Sequence, residues 1–166
     1  MASTMGGTDE STATDRPDFA GEATTEAGFG RVLVAVDGET PAAVGRVAIS
    51  EAARHGGRID ALSIVRMTAS VDGWDVVVER REAAAEAALE AVEDASAGTD
   101  VTVSKRLRYG DPAEEIARYA AHNDVDLVVI GEPTRTGLRR YLSPTSVTDR
   151  VRRASSVPVL TVPADD

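Results

Sequence analysis

Short apolar runs that alternate with helical signals constrain the fold of this chain more than any other feature. The first run, residues 32–36, reads VLVAV, which is typical of a strand covered on both faces. Further strands are predicted at residues 59–65, 101–107, 127–130 and 159–162. Helices are predicted at residues 41–54, 76–95, 112–122 and 146–154. This alternation predicts an α/β fold, an open parallel five-stranded sheet with right-handed crossovers and helices on both faces.

Local side chains are predicted to start three of the helices. Thr40 is expected to cap the first helix, with Pro41 at its first helical position. Asp111 is expected to cap the third helix. Ser146, which follows Thr145, is expected to cap the fourth helix with its hydroxyl group.

The second predicted helix has one apolar face and one acidic face. The residues expected to be buried are Val78, Ala85, Leu89 and Val92. The acidic side chains, spaced three or four residues apart, are Glu79, Glu82, Glu86, Glu90 and Glu93. A cation or partner surface is one interpretation of this face, but we predict a solvated one. Because like charges four residues apart repel by about 0.2–0.5 kcal/mol per pair, the helix is expected to become more stable as salt rises.

Composition limits the classes of protein and the compartment. The chain has 166 residues, enough for one domain with a sizeable core. It has no cysteine, which excludes disulfides, thiolate catalysis and Cys-ligated metals. No stretch approaches the roughly 18 apolar residues of a membrane span, and the first residues lack a secretory signal pattern. We therefore expect a cytoplasmic protein that does not bind membranes.

Acidic residues dominate the charge of the chain. The net charge is -10, and only one of the 18 basic side chains is a lysine, Lys105. This balance predicts a salt-adapted, halophilic source, although a GC-rich genome would also favour arginine. It also argues against nucleic acid as a partner. Residues 1–29 are acidic and poor in large apolar side chains, so they are predicted to form a disordered tail before a domain at 30–166.

The carboxyl ends of the first and fourth strands are the predicted edges of a ligand site. Ligands of open parallel sheets bind beyond these ends, here at Asp37 and Gly131. Asp37 could accept a hydrogen bond from a ribose hydroxyl, or it could bond its own backbone in the turn before Gly38. The spacing leaves both interpretations open.

A basic segment follows Gly131. Residues 131–153 contain six arginines and two acids. An anion near Ser146 would meet the amino end of the last helix and the side chain of Arg135. For Arg135, Arg139 and Arg140, anion binding and solvation remain alternatives. The chain shows no nucleophile paired with a base and no metal-ligand cluster, so no enzyme is predicted.

Several motifs together resemble the universal stress protein family over residues 30–163. They are VLVAVDG at 32–38, GDPAEEI at 110–116, DLVVIG at 126–131, RTGL at 135–138 and VPVLTV at 157–162. The resemblance implies a flavodoxin-like, Rossmann-like sheet of strand order 3-2-1-4-5. It also implies homodimers that pair through the last strand, Val159 to Val162.

Nucleotide-binding members of this family carry a glycine pattern that this chain changes. The positions that match are Gly131, Thr134 and Thr145, the last before Ser146. Carried over by position, Asp37 would hold the ribose, Ile64 would lie by the base, and Ser146 and Val147 would meet phosphate. A glycine permits positive φ and a close approach to phosphate, whereas a threonine at positive φ is strained. The resemblance therefore implies ATP or AMP as a possible ligand, with phosphate binding weakened at Thr134 and Thr145.

Three functions follow from this pattern. The first is a non-catalytic, homodimeric stress-response protein with a degenerate nucleotide pocket. The second is a switch that depends on bound ATP or AMP. The third is a nucleotidyl-transfer enzyme of related fold, which the missing catalytic residues disfavour.

Overall fold

Strands and helices alternate through the described part of the chain. The computed structural model describes residues 28–67, 74–132 and 145–164. In chain order the elements are β1 (Arg31–Ala35), α1 (Ala42–Arg54), β2 (Arg58–Val65), α2 (Trp74–Ala95), β3 (Thr102–Tyr109), α3 (Pro112–His122), β4 (Leu127–Gly131), α4 (Val147–Ala154) and β5 (Val159–Val162). The predicted tail lies outside the described residues up to residue 27.

All five strands form one parallel sheet in the order β3-β2-β1-β4-β5. The predicted α/β fold and strand order are confirmed. Successive side chains of a strand point to opposite faces, so β1 contributes Val32 and Val34 to one core and Leu33 to the other. Val44 of α1 packs into the first core and Ile116 of α3 into the second. A strand with a core on each side must be apolar throughout, which explains the run at 32–36.

Two of the three predicted helix caps are present. The Asp111 carboxylate accepts a hydrogen bond from the Glu114 N–H at 3.1 Å, and the Ser146 hydroxyl accepts one from the Asp149 N–H at 3.1 Å. The predicted Thr40 cap is wrong: Pro41 occupies the N-cap position, and no side chain caps this helix. The Thr40 hydroxyl instead bonds Asp37, as described below.

Helix α2 keeps most of its acidic face exposed. Ala85, Leu89 and Val92 are buried as predicted, whereas Val78 is only half-buried. Four of the five acids are exposed, as predicted for a solvated face, and Glu82 is half-buried. Glu82 accepts a hydrogen bond from the Tyr109 hydroxyl at 2.7 Å, and the exposed Glu93 pairs with Lys105, so β3 brings donors to two of these acids.

One carboxylate, Asp60, is buried where β2 begins, far from the carboxyl ends of the strands. It accepts hydrogen bonds from the Arg31 guanidinium at 2.7 Å and the Tyr119 hydroxyl at 3.0 Å. Burial, followed by the hydrogen bond to Asp60, raises the pKa of Tyr119. Burial lowers the pKa of Arg31, but the hydrogen bond and charge of Asp60 outweigh it and raise that pKa overall. The group is a charged pair joined to a phenol inside the fold.

Within the described ranges, none of the helices has the length and apolar character needed to cross a membrane.

Candidate functional site

A cleft of about 340 Å³ opens at the carboxyl ends of β1, β2 and β4. Five of the predicted site residues line it. They are Asp37, Ile64, Gly131, Ser146 and Val147. Residues that follow three different strands and begin a helix thus meet around one space, as expected where the winding of a parallel sheet reverses.

Of the other three predicted site residues, Thr145 is within the described part of the chain. Thr134 and Arg135, with Arg139 and Arg140, lie outside the described residues. Thr145 is described and exposed, but it is not part of the cleft lining. Among the described non-glycine residues only Asp124 has a positive φ, so Thr145 does not adopt the conformation that would strain a threonine. A threonine is accommodated there because the chain enters α4 without the left-handed conformation.

The Asp37 carboxylate has one oxygen engaged and one available. Its Oδ1 accepts hydrogen bonds from the Glu39 N–H at 3.0 Å and the Thr40 hydroxyl at 2.8 Å. The Asp37 N–H in turn donates to the Thr40 oxygen at 2.9 Å. No described residue donates to Oδ2. The turn and ligand interpretations of Asp37 are therefore compatible, because the turn fixes the carboxylate and leaves one oxygen free to accept a hydroxyl.

Gly131 packs closely against α1. A Cβ at this position would lie 3.2 Å from Cγ2 of Val44 on α1, closer than side chains normally approach. The Gly131 carbonyl accepts a hydrogen bond from the buried Thr148 hydroxyl at 3.1 Å. Thr148 thereby fixes the first turn of α4 against the end of β4. Thr148 was not among the predicted site residues. The feature that could have identified it is its hydroxyl group, two residues after the cap Ser146.

The amino end of α4 supplies hydrogen-bond donors to the cleft. Ser146 is the N-cap, and its hydroxyl donates to the Asp149 carboxylate at 2.9 Å while accepting from the Asp149 N–H. The N–H groups of Val147 and Thr148 belong to the first turn, where a helix offers no internal acceptor. Such groups and the helix dipole suit an anion.

A bidentate ion pair joins the two helices that flank the cleft. Both guanidinium nitrogens of Arg150 on α4 donate to the Asp111 carboxylate, each at 2.9 Å. The hydrogen bond from Arg150 holds the pKa of Asp111 below its ordinary value, and the same bond raises the pKa of Arg150. Because Pro112, the next residue after Asp111, lines the cleft, this pair fixes the spacing of its walls.

Charged side chains that the sequence analysis did not select also line the cleft. Glu39 and Glu132 add carboxylates to that of Asp37, and Arg66 is the one cation of the described lining. Arg66 comes directly after β2, and Glu132 comes directly after β4. Their positions just past strand ends were the signal that could have identified them.

The β2 side of the cleft carries the apolar side chains of Leu62 and Ile64, with Arg66 just past the end of that strand. The polar groups of α4 lie on the β4 side. One strand, β1, separates the two sides. A cleft with an apolar part and a few polar groups suits a small ligand that is itself apolar at one end and anionic at the other.

The two histidines lie away from the cleft. His55 caps the carboxyl end of α1, with its ring edge-on to Phe29, and His122 ends α3. Neither lines the cleft. Among the described residues, no group of three or more His, Cys, Asp and Glu side chains could hold a metal ion.

Comparison with known proteins decides the family. The model of the Universal stress protein family matches residues 28–163. The chain belongs to this family. The match begins where the described structure begins and ends one residue short of its end, so it covers all nine elements.

Individual relatives agree with this assignment. A universal stress protein of Methanocaldococcus jannaschii is 33% identical over 89 residues, which are 54% of this chain and 52% of the relative. The matched segment therefore spans about half the length of that relative. The structure of universal stress protein UspA from Lactobacillus plantarum is 26% identical, with a TM-score of 0.65 over 81% of this chain and 97% of that one. A universal stress protein solved in complex with cAMP shares the fold at 21% identity, with the same TM-score and coverage.

Proposed function

We propose that this universal stress protein is a non-catalytic regulatory protein that binds an adenine nucleotide in the cleft. One observation carries the proposal: a fixed carboxylate with a free oxygen, the donors of a helix amino end and an apolar wall surround the same space. In this arrangement the Asp37 oxygen accepts from the ribose, the first turn of α4 donates to a phosphate, and the base lies by Ile64. The related protein that holds cAMP supports the choice of adenine.

The proposal includes a homodimer formed through β5 and a salt-adapted source. Support for the dimer comes from the position of β5 at an edge of the sheet, with Leu160 exposed. Support for salt adaptation comes from the 28 acidic side chains against 18 basic ones. The cytoplasmic location stays a prediction from the sequence.

A second candidate is regulation without a nucleotide, from a degenerate pocket. The carboxylates of Asp37, Glu39 and Glu132 favour this candidate because they repel a polyphosphate that carries no counter-ion. A nucleotidyl-transfer enzyme is the third candidate. The described cleft supports it least, since it offers neither histidine as a base.

Isothermal titration calorimetry with AMP and with ATP, in low salt and in molar salt, tests the proposal. The expected result is saturable binding of AMP by the wild type. Asp37→Ala is expected to weaken that binding by roughly ten-fold or more, as the loss of a hydrogen bond to a charged group does. Ser146→Ala is also expected to weaken it, because the Ser146 hydroxyl holds the first turn of α4 through Asp149. Molar salt is expected to raise the affinity for ATP more than the affinity for AMP, because salt screens the lining carboxylates.

Thr145→Ala is the matched control, since it removes a neighbouring hydroxyl that does not line the cleft. It should leave the AMP affinity unchanged. Thermal unfolding of each variant separates lost binding from the lost Ser146 cap. A wild type that binds neither nucleotide would instead support the degenerate pocket. Formation of a new nucleotide product during the incubation would support the enzyme.

A further inference from the structure

We propose that Arg66 makes this cleft selective for purines, by stacking its guanidinium on the face of the bound base. The inference rests on the proposed nucleotide function and adds a specificity-determining residue to it. No other side chain of the described lining carries a positive charge.

The position of the base follows from the chemistry of the lining. Phosphate requires donors. Three helix amino ends reach the described lining, but α1 and α3 contribute Pro41 and Pro112, which have no N–H, so α4 alone offers first-turn N–H groups there, on the β4 side. The ribose requires an acceptor, which Asp37 supplies at the end of the intervening strand β1. The apolar side chains of Leu62 and Ile64 then remain for the base, on the β2 side.

Arg66 lies where it can cover that base. It comes two residues after Ile64, just past the end of β2, and both residues line the cleft. The Arg66 carbonyl accepts a hydrogen bond from the Arg81 guanidinium at 2.8 Å, so α2 fixes the backbone from which the side chain projects. The side chain is exposed, and no acid in the described ranges forms an ion pair with it.

Stacking is the contact that suits this residue best. The guanidinium is planar and weakly hydrated, and it stacks readily on aromatic faces. With the apolar side chains on the other side, the base would lie between Ile64 and a cation. A purine presents two fused rings to this cation and a pyrimidine presents one, so the contact favours purines.

The test compares Arg66→Met with Arg108→Met, using adenosine, AMP and CMP as calorimetric ligands. Methionine keeps an unbranched apolar side chain and removes the plane and the charge. Arg108 lies directly across from Ile64 on β3 and is exposed, but it does not line the cleft. Its substitution therefore removes the same charge from the same neighbourhood without removing the stacking group.

Arg66→Met is expected to weaken the binding of adenosine and of AMP alike, by roughly three- to thirty-fold, which is the range of a cation–π contact. Wild type should bind CMP more weakly than AMP, and Arg66→Met should narrow that difference. Arg108→Met should leave all three affinities near those of the wild type. Arg66→Lys, which keeps the charge without the plane, should fall between wild type and Arg66→Met.

Other results overturn the inference in separable ways. If Arg66→Met weakens AMP but not adenosine, the guanidinium acts on phosphate and not on the base. Equal losses of affinity in Arg66→Met and Arg108→Met would show that the effect comes from long-range charge and not from stacking. Unchanged adenosine affinity in Arg66→Met would end the inference while leaving the nucleotide function intact. If wild type binds neither AMP nor adenosine, the proposed function and this inference fall together.

Discussion

At the scale of single residues, Asp60 has the least tolerant environment in the described fold. Its side chain is 2% exposed, and that of its partner Arg31 is 20% exposed. Removing one partner of a buried pair leaves a charge without water or counter-charge, which is costly. Replacing the whole pair with uncharged groups is often nearly neutral. The cost therefore lies in breaking the pair, and the pair itself adds little net stability.

The burial of Asp60 predicts a non-additive pair of substitutions. Arg31→Met is expected to lower the free energy of unfolding by about 3 kcal/mol, because Asp60 remains buried with only Tyr119 as a donor. Adding Asp60→Asn should recover most of that loss, since the amide oxygen still accepts from Tyr119 and no charge stays buried. Urea denaturation of the two variants and the wild type measures both values.

Arg54→Met is the matched control for this pair. Arg54 is 70% exposed and pairs with Glu51 on the surface of α1. Its substitution should cost less than about 0.5 kcal/mol. A double variant that is no more stable than Arg31→Met alone would contradict the account of Asp60.

Side-chain roles that depend on near neighbours in the sequence could be predicted, and those that depend on distant elements could not. Asp111 and Ser146 cap helices that begin at the next residue, so a few letters of sequence define them. Asp60 and Thr148 find their partners 29 and 17 residues away, respectively. The predicted cap at Thr40 is wrong because two local partners are available to its hydroxyl. The hydroxyl bonds Asp37 in the preceding loop and not the first turn of α1.

At the scale of elements, the contact between α3 and α4 sets the width of the cleft. Asp111 both caps α3 and accepts the two hydrogen bonds from Arg150. One carboxylate thus couples the start of a helix to the position of its neighbour. Ser146, four residues before Arg150, caps the first turn of α4, which lines the cleft.

This coupling predicts a pH-dependent effect of Arg150→Met. The pKa of folded Asp111 is lowered, so the pair contributes its full stabilisation above 3.8, the ordinary value. That contribution is lost as the pH falls through the lowered pKa, because the protonated carboxyl no longer attracts Arg150. Arg150→Met should therefore lower Tm by a few degrees at pH 7 and by less at pH 2. The shift is small because both side chains are more than a third exposed.

Thermal unfolding followed by circular dichroism at the two pH values measures the effect. Arg153→Met is the control, since Arg153 is an exposed arginine on the same helix and lines no part of the cleft. Its Tm difference from wild type should be small at both pH values. If Arg150→Met lowers Tm equally at pH 2 and pH 7, the effect comes from lost packing and not from the ion pair.

Element bounds were predictable to within a few residues where the apolar pattern is strong. β5 occupies the predicted residues, and β4 extends one residue further, to Gly131. α2 begins at Trp74, two residues before its predicted start, and Val76 and Val77 near that start are exposed. Apolar residues at the start of a helix do not by themselves indicate whether they face the sheet or the solvent.

At the scale of the whole molecule, alternation of elements predicted a parallel sheet but could not order its strands. The order came from the family resemblance, and so did the expectation that β5 forms a dimer. The two edge strands differ in a way that favours this expectation. β3 carries Lys105, Arg106 and Arg108, charges that discourage pairing with another strand, whereas β5 reads Val-Leu-Thr-Val.

The hydrogen bonds of β5 identify the backbone groups that face outward. The carbonyls of Pro158 and Val162 accept from β4 and the residue after it, at 2.9 and 2.8 Å. Since alternate residues of a strand direct their N–H and C=O groups to the same side, Val159 and Thr161 direct theirs away from β4. These are the groups that a second copy of β5 would pair with.

Thr161→Pro is therefore expected to convert a dimer into a monomer without unfolding the domain. Proline removes the outward N–H of residue 161, and an edge strand tolerates it because the bonds to β4 belong to the neighbouring residues. Thr161→Ala is the control: it removes the same hydroxyl, which accepts a hydrogen bond from Arg152 at 2.9 Å, but keeps the N–H, so it should remain dimeric. Light scattering after size exclusion in molar salt gives the mass of each species. A monomeric wild type would contradict the dimer proposal. If Thr161→Pro remains dimeric, the interface does not lie at the outer edge of β5.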